Sequence, residues 1–449
     1  MITAHSKSLK RRKAHKRNPL SVHSAESLPS MLYADEKGRI YDHPFYRMAA
    51  FSGTKPFPLN TADIIDMPEF SKLFFIPDCP PVGLDPETGR YVTVRKAPVK
   101  GGNGPCFAVA SFLEPGLVRS HLPAVDYSGK KYILPMWAYT AVGYLKDRYV
   151  SAGFCIEYNH RWDPRNYDDR ELVPAIKRYR KTYGAGKLVD HLAQCATINH
   201  CFAAKNLFLE RWEAPLPVSR TCNAGCLGCI SYQPQDTCEA SHHRISFRPS
   251  KHEITDIAVR HLEATEEGIV SFGQGCEGEP LMEAGLIAES IREIRKRTGR
   301  GTINLNTNGS LPDKVRQIAE SGLDSIRISL SSARPDCYTA YHRPQNYRFE
   351  DVETSIALSH ELGLYTMVNY LVFPGTTDQE DEIKALSGLI ERTGLNFLHL
   401  KNLCIDPDIY MKQMPAGTSP PVGMKIMAEE IGKRFPDLKL GYFNQAVRK

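Results

Sequence analysis

The chain has 449 residues, of which 42% are hydrophobic, and a formal net charge of +6. This length is enough for two or three domains, and no apolar run reaches the ~20 residues of a membrane span. Twelve cysteines in no repeating framework exclude a disulfide scaffold and predict reduced thiols in a cytoplasmic protein. The first residues are basic but lack the apolar stretch of a secretory signal.

The positive charge is concentrated in residues 1–30. This segment holds seven Lys and Arg residues against the single acid Glu26, so the rest of the chain is neutral. Its Ser, Lys, Arg and His content predicts a disordered basic tail. We therefore expect contact with nucleic acid only through this tail, and none with membranes.

Residues 31–211 have an irregular pattern that predicts an N-terminal α+β domain. Aromatic and Pro-rich stretches such as "YDHPFYRM" indicate short strands and loops, and "LVPAIKRYRKTYG" then has helical periodicity. No chemistry can be assigned to this region from its residues. If this region covers the open end of the domain that follows, we expect it to select the substrate. If it lies behind the helices of that domain, we expect it to be a scaffold or a partner-binding module.

Residues 212–410 alternate strand-like runs with amphipathic helices. The six runs are "APLPVS", "GIVSFG", "GTINLNTNG", "DSIRISLSS", "YTMVNYLVF" and "NFLHLKNL". Strands separated by helices predict right-handed crossovers and a parallel sheet. A closed barrel would need eight units, so six predict a partial (β/α)6 TIM-like barrel, with a doubly wound sheet as the alternative. Residues 411–449 then form a predicted C-terminal helical extension.

Several of these strands are polar on one face. Asn304, Asn306 and Asn308 alternate with apolar residues, as do Arg327, Ser329 and Ser331 in the next strand and His399 and Lys401 in the last. Because side chains alternate with period two, one face of the sheet is polar across several neighbours. With helices on the apolar face, the polar face lines a channel that is a candidate site; the alternative is a solvated face without a ligand.

Three cysteines follow the first strand in "SRTCNAGCLGCISY", spaced Cys222-x3-Cys226-x2-Cys229. The carboxyl end of a strand is where open α/β sheets and barrels bind ligands. A four-iron cluster normally takes four thiolates, so three leave one iron open to a ligand from outside the protein.

These cysteines and the segments after them resemble the radical S-adenosylmethionine (SAM) superfamily. "GEPL" at residues 278–281 is similar to the family's motif after the second strand, and "TNG" at 307–309 to the segment after the third. "SLSSARPDCYTAYHRP" is similar to the fourth strand and the helix after it in the branch that contains molybdopterin-precursor synthases and peptide-modifying enzymes. The resemblance covers residues 214–405.

The resemblance implies a set of cofactors and roles. The three cysteines would bind a 4Fe-4S cluster, and the remaining iron would bind the methionine end of SAM. Glu279, next to Gly278, would accept a hydrogen bond from the amino group of SAM. Ribose and carboxylate contacts would come from Asn306 or Asn308, from Ser329 or Ser331, and less clearly from Arg343.

The activity implied is reductive cleavage of SAM to methionine and a 5′-deoxyadenosyl radical, which takes a hydrogen atom from a peptide or small-molecule substrate. The catalytic residues toward that substrate and the net reaction are not implied. An electron donor such as flavodoxin or ferredoxin is the expected protein partner.

Alternatives remain open at three points. A zinc- or cluster-binding protein that engages RNA through its tail would need a fourth ligand, for which Cys238, His242 and His243 are candidates. Glu277 could compete with Glu279. The family's aromatic residue before the third cysteine is Gly228 here, so Ile230 or Tyr232 could contact adenine instead.

Three further cysteines are interpreted as packing residues. Cys276, beside the predicted SAM site, is expected to be a small buried residue that does not react with a radical. Cys195 and Cys201 lie six apart on a predicted helix and so do not share a face, which argues against an auxiliary cluster.

Overall fold

The computed structural model describes residues 28–59, 61–234 and 238–448. The predicted basic tail, residues 1–30, therefore lies outside the described residues except for its last three. In the described ranges, no helix is both long and apolar enough to cross a bilayer.

The N-terminal part of the chain is built from antiparallel strands. Most of them join one strongly branched sheet, and β9–β10 and β13–β3–β4 form two smaller ones. The strands are β1 (Ser30–Ala34), β2 (Ile40–Met48), β3 (Ala50–Ser52), β4 (Lys55–Pro56), β5 (Ile64–Asp66), β6 (Lys72–Ile76), β7 (Val82–Leu84), β8 (Tyr91–Thr93), β9 (Lys96–Val99), β10 (Gly102–Pro105), β11 (Phe107–Phe112), β12 (Leu117–Arg119), β13 (Leu122–Pro123), β14 (Val142–Leu145) and β15 (Arg148–Cys155).

Three helices follow: α1 (Asp169–Tyr183), α2 (Lys187–Thr197) and α3 (Phe202–Phe208). Their buried side chains, such as Leu172, Leu188 and Leu207, belong to the same hydrophobic core as the strands that come after them. The domain boundary predicted at residue 211 stays a prediction. The change from the hydrophobic clusters of the N-terminal strands to the core shared with the later strands takes place before α1.

A parallel sheet occupies the second half of the chain. Its strands are adjacent in chain order and alternate with helices, so each crossover packs a helix on the outer face. The strands are β16 (Glu213–Pro215), β17 (Ile269–Phe272), β18 (Thr302–Thr307), β19 (Ser325–Leu330), β20 (Tyr365–Val372), β21 (Phe397–Asn402) and β22 (Lys439–Gly441); the helices are α4 (Lys251–Ala264), α5 (Ala284–Arg297), α6 (Pro312–Ala319), α7 (Pro335–His342), α8 (Phe349–Glu361), α9 (Glu380–Thr393), α10 (Pro407–Gln413) and α11 (Met424–Arg434).

Local sequence explains where these helices begin and end. Ser250 and Glu253 form a reciprocal capping box at the start of α4. Pro312 and Pro335 stand in the first turns of α6 and α7, where no backbone donor is needed. Gly394 ends α9 in the left-handed conformation.

The predicted partial barrel with an additional N-terminal α+β domain is confirmed, with one extension. The segment expected to be only helical contributes α11 and then β22, which pairs in parallel with β21 as a seventh strand. After β22 the chain crosses the amino-terminal end of the barrel, where Val447 N and Arg448 N donate to Thr302 Oγ1 at the start of β18. That end of the barrel is thus closed by the chain itself.

The N-terminal domain covers the opposite edge. Arg119, at the end of β12, is fully buried, and its guanidinium donates to Tyr139 O, to Leu403 O at 2.9 Å and to Val372 O at 3.4 Å. Burial lowers the pKa of Arg119 to about 10, so it remains a cation at neutral pH. Because Val372 and Leu403 lie at the carboxyl ends of β20 and β21, this domain packs on the edge where ligands bind.

A buried ion pair strengthens the same contact. Lys130 of the N-terminal domain pairs with Asp406 in the loop after β21, and both side chains are almost fully buried. The same carboxylate accepts from Leu134 N at 2.8 Å. Removing either partner would leave a buried charge without compensation.

Replacing Arg119 with Met is expected to lower the free energy of unfolding by about 3 kcal/mol, because Tyr139 O and Leu403 O lose the guanidinium donor and Val372 O keeps only Leu403 N. Urea denaturation followed by circular dichroism measures the change. The control is Arg148→Met at an exposed ion pair with Asp66, which should change stability by at most about 1 kcal/mol. Equal stability of the two variants would contradict the anchoring role of Arg119.

Candidate functional site: a three-cysteine loop at the mouth of a partial barrel

The loop after β16 carries the three cysteines and is held from two sides. Glu279 N, in the loop after β17, donates to Thr221 O at 2.8 Å, and Leu227 N donates to Tyr341 O of α7 at 3.0 Å. A Cβ at Gly278 would lie 2.1 Å from Thr221 O, so only glycine allows the two loops to approach this closely. Backbone contacts therefore fix the positions of the thiols.

Two cavities meet at these cysteines. One of about 440 Å³ lies inside the barrel, and the other, of about 310 Å³, lies between the cysteine loop and the N-terminal domain residues Ile133 and Met136. Cys222, Cys226 and Cys229 line both. The larger volume lies within the usual range for small-molecule sites.

The spacing of the thiols discriminates between a single metal ion and a cluster. Thiolates on one tetrahedral zinc ion stand about 3.8 Å apart. Among the described residues, the sulfur atoms of the three cysteines do not all lie within 4.8 Å of one another. They are arranged around a space rather than around a point, which fits a multi-iron cluster better than zinc.

None of the candidate fourth ligands completes a zinc set with the three cysteines. Cys238 packs in a hydrophobic cluster with Met136 of the N-terminal domain. His243 is exposed, with Nδ1 3.3 Å from Asn199 Oδ1. His242 has a buried Nδ1 without a partner, but it belongs to no group of metal-ligand distance in the described part of the chain.

The environment of the thiols calls for a compensating cation. Burial, with a smaller effect of the Glu279 carboxylate, raises the pKa of Cys222 to about 11. Burial and the charges of the other two thiolates raise the pKa of Cys226 well above its ordinary value. The thiolates of Cys222 and Cys226 are thus unfavourable here without a bound cation, and iron would supply that charge. The donor set fits a 4Fe-4S cluster.

Glu277 is occupied as a structural residue. Its buried carboxylate accepts four backbone hydrogen bonds: from Val218 N and Ser219 N after β16, and from Gly273 N and Gln274 N after β17. A carboxylate has about four lone-pair positions, so all are filled. Glu277 joins the first two strand ends and has no free acceptor for a ligand.

Glu279 has one acceptor position left. Its buried carboxylate accepts from Thr307 Oγ1, from Leu281 N at 3.0 Å and from Asn308 N at 2.8 Å, which is three of about four positions. Burial raises the pKa of Glu279 to about 7. The side chain lines the barrel cavity beside the cysteines. This arrangement favours Glu279 over Glu277 as the partner of an amino group.

The other predicted contacts fall in different places. Asn306, Asn308 and Ser329 line the barrel cavity. Ser331 is fully buried outside that lining, with an unpartnered Oγ. Arg343 lines the smaller cavity and donates to Gln413 Oε1 at 3.3 Å. The roles of these five residues toward SAM stay predictions.

The missing aromatic residue at Gly228 has a structural explanation. A Cβ there would lie 2.8 Å from Tyr341 Oη and 2.9 Å from Cys404 O, so no side chain fits. Tyr341 from α7 occupies this space and lines the barrel cavity together with Ile230. Tyr232 is 61% exposed and lies under Arg244 instead.

Cys276 is buried, as expected, but it has neighbours that spacing did not indicate. Its sulfur, Cys195 Sγ and a ring nitrogen of His191 lie within 4.8 Å of one another. Hydrogen bonding from Cys276 lowers the pKa of Cys195. Cys276 does not line the barrel cavity, and Cys201 is no part of this group.

Two of the functional residues in this loop region had no signal in the sequence. Arg244, which donates to Ser231 Oγ at 3.0 Å and to Cys229 Sγ at 3.6 Å, lies in an irregular segment. Tyr341 lies in close contact with the position of Gly228, and no sequence pattern indicates that contact. Arg327 and Lys401, by contrast, were indicated by the alternation of polar residues in their strands, and both line the barrel cavity.

Comparison with known families agrees with this geometry. Residues 216–386 match the family described as the radical SAM superfamily. These residues form a radical SAM domain. The cofactors of this superfamily are a 4Fe-4S cluster and SAM, and the cysteine loop and the cavity beside it lie within or against the domain.

Curated relatives match part of the chain. The chain is 31% identical over 129 residues to a GTP 3′,8-cyclase of Streptomyces coelicolor, which covers 28% of the chain and 35% of the relative. It is 30% identical over 165 residues to a GTP 3′,8-cyclase of Heliobacterium modesticaldum, covering 36% and 47%. The chain thus spans less than half the length of these relatives.

Solved structures align at low identity. The [FeFe]-hydrogenase maturase HydG from Carboxydothermus hydrogenoformans aligns with a TM-score of 0.35 and 15% identity over 62% of this chain and 66% of its own. Streptococcus suis SuiB bound to the precursor peptide SuiA aligns with a TM-score of 0.38 and 13% identity over 56% and 52%.

Changing any one of the three cysteines to Ala is expected to remove at least about 90% of the bound iron and sulfide. A four-iron cluster normally takes four thiolates, and the loop offers only three, so two would remain to hold it. Iron and acid-labile sulfide per chain are measured after anaerobic reconstitution. Cys238→Ala, at the proposed fourth zinc ligand, serves as the control and should retain the full content. Zinc binding that depends on Cys238 would contradict the cluster assignment.

Proposed function

We propose that this protein is a radical SAM enzyme that acts on a small molecule bound inside the partial barrel. Cys222, Cys226 and Cys229 would hold the cluster, and Glu279 would bind the amino group of SAM. The bound cluster and SAM supply one-electron cleavage of the sulfonium and hydrogen-atom abstraction. The observation that carries the proposal is that all three cysteines and Glu279 line one cavity inside the barrel.

The chain's own residues prepare this site in two ways. Thr307 and the backbone N–H groups of Leu281 and Asn308 orient the Glu279 carboxylate, so one acceptor position faces a ligand without reorganisation. Arg244 places a positive charge beside Cys229 and compensates part of the thiolate charge.

The position of the N-terminal domain supports a small substrate. It packs on the carboxyl ends of β20 and β21, and Ile133 and Met136 face the cysteine loop. A domain that covers this edge limits the access of water and stray hydrogen donors to reactive species. The matched relatives carry the name GTP 3′,8-cyclase, which denotes a small-molecule substrate. A peptide substrate is the alternative, and a flavodoxin- or ferredoxin-like electron donor completes the proposal.

Anaerobic reconstitution with iron and sulfide, followed by dithionite and SAM, is expected to yield 5′-deoxyadenosine, measured by liquid chromatography. Cys226→Ala should reduce the yield to background because the cluster is lost. A protein that contains zinc without sulfide and forms no 5′-deoxyadenosine would contradict the proposed function.

Glu279→Gln is expected to weaken SAM binding by about 10- to 100-fold, because a charge-assisted hydrogen bond is lost while the side-chain shape is kept. Equilibrium dialysis with labelled SAM measures the dissociation constant. The control is Glu289→Gln on the exposed face of α5, which should bind SAM as the unmodified protein does. If the two variants bind SAM equally well, Glu279 does not contact the amino group.

A further inference from the structure

Several cations in the interior of the described chain contact a carboxylate or, at the end of β12, backbone carbonyl groups, whereas two cations inside the barrel do neither. Lys130, Lys205 and Arg295 each contact a carboxylate. Arg327 on β19 and Lys401 on β21 also lie in the interior. The carboxylates near them form no ion pair with them and act only by longer-range electrostatic attraction. Because a buried charge without a partner is costly, such residues in a cavity point to a ligand of opposite charge.

Both of these cations line the barrel cavity. The hydrogen bond that the structure gives to the Arg327 guanidinium runs from Nη1 to Asn444 Oδ1 at 2.9 Å, and its buried Nε has no partner. Lys401 Nζ lies 4.7 Å from the ring centre of Tyr442. These two cations therefore keep donors available toward the cavity.

The nearest carboxylate does not neutralise Arg327 directly. Glu213 at the start of β16 accepts from Ser271 Oγ at 2.6 Å, Gln274 Nε2 at 3.1 Å and Asn444 Nδ2 at 2.7 Å. Asn444 thus stands between the carboxylate and the guanidinium and holds both. This relay holds Arg327 through Nη1, while its Nε stays without a hydrogen bond.

A further unpartnered polar atom belongs to the same wall. Asn369 of β20 lines the cavity, and its side-chain oxygen has no hydrogen bond. Burial, with a smaller effect of the Arg327 charge, lowers the pKa of Lys401 to about 7. The two cations are close enough to disfavour each other, and an anion between them would relieve that repulsion.

The position of this group separates it from the cysteine loop. Arg327 pairs in register with Asn306, two residues before Asn308, whose N–H binds Glu279. At about 3.3 Å per residue, Arg327 lies about 7 Å deeper in the barrel than the Glu279 contact. Asn444 and Tyr442, which follow β22, form the floor beside it.

We propose that Arg327 and Lys401 bind an anionic group of the substrate, a carboxylate or a phosphate, at the floor of the barrel cavity. That the anion belongs to a substrate rests on the proposed function, but anion binding itself can be tested without turnover. An anion held at the floor would direct the remainder of a small molecule toward the cysteine loop, where the hydrogen atom is removed.

The probes are inorganic phosphate, pyrophosphate and succinate, titrated into the reconstituted full chain by anaerobic calorimetry, with uncharged succinamide for comparison. At least one anion is expected to bind with a dissociation constant below about 10 mM, and succinamide is not. Arg327→Gln and Lys401→Met are each expected to weaken that binding at least about tenfold. The matched control is Lys439→Met, since Lys439 also stands over an aromatic ring but is exposed.

Three results would overturn the proposal. One is that no probe binds to the unmodified protein. Another is that both variants bind the anion with the same dissociation constant as the control variant. If Arg327→Gln does not fold, the dissociation constant of Lys401→Met alone decides this point. The third is a parallel loss of SAM binding in both variants, which would assign the anion to the carboxylate of SAM. Formation of 5′-deoxyadenosine is measured separately, so failure of the anion site and failure of the proposed function give different results.

Discussion

The site depends on a main-chain contact between the first two strand loops. Gly278 lies against Thr221 O at a distance that excludes any Cβ, and this approach allows Glu279 N to donate to the same carbonyl group. The cysteine loop and the carboxylate beside it are thus positioned by one rigid backbone contact. Glu277 reinforces it with four hydrogen bonds across both loops. The three thiols are thus held near one another although their thiolate charges repel.

The interior of the barrel follows from the rule that buried polar groups need partners. Asn304, Ser271, Ser325 and Glu213 satisfy one another through side-chain hydrogen bonds. These residues form a polar wall that is rigid before any ligand arrives. Against this background the unpaired cations are informative, because the same wall offers carboxylates and amides that could have paired with them.

The additional domain solves a problem that an open barrel creates. Seven strands do not close on themselves in the described chain, so the carboxyl edge and one side of the sheet need cover. Arg119 donates to carbonyl groups at the ends of β20 and β21, and Glu157 accepts from Tyr442 N and Phe443 N after β22. The N-terminal domain thereby becomes part of the wall near the site.

The sequence by itself determined the six β/α units, the cysteine spacing and the polar inner face. These follow from local periodicity and from residue types, which act over a few neighbouring positions. The alternation in "SIRISLS" already placed Arg327 and Ser329 on one face, and the structure puts both in the cavity. The seventh strand was missed because Lys439–Gly441 is too short to have a period.

Only the tertiary structure decided which residues meet across the chain. Tyr341 in the space at Gly228 and Cys195 beside Cys276 come from segments far apart in sequence. Arg244 reaches Cys229 from an irregular segment 15 residues further along the chain. The preference for Glu279 over Glu277 likewise depends on how many hydrogen-bond donors the fold brings to each carboxylate. Such contacts are set by packing between distant elements, and no short-range pattern contains them.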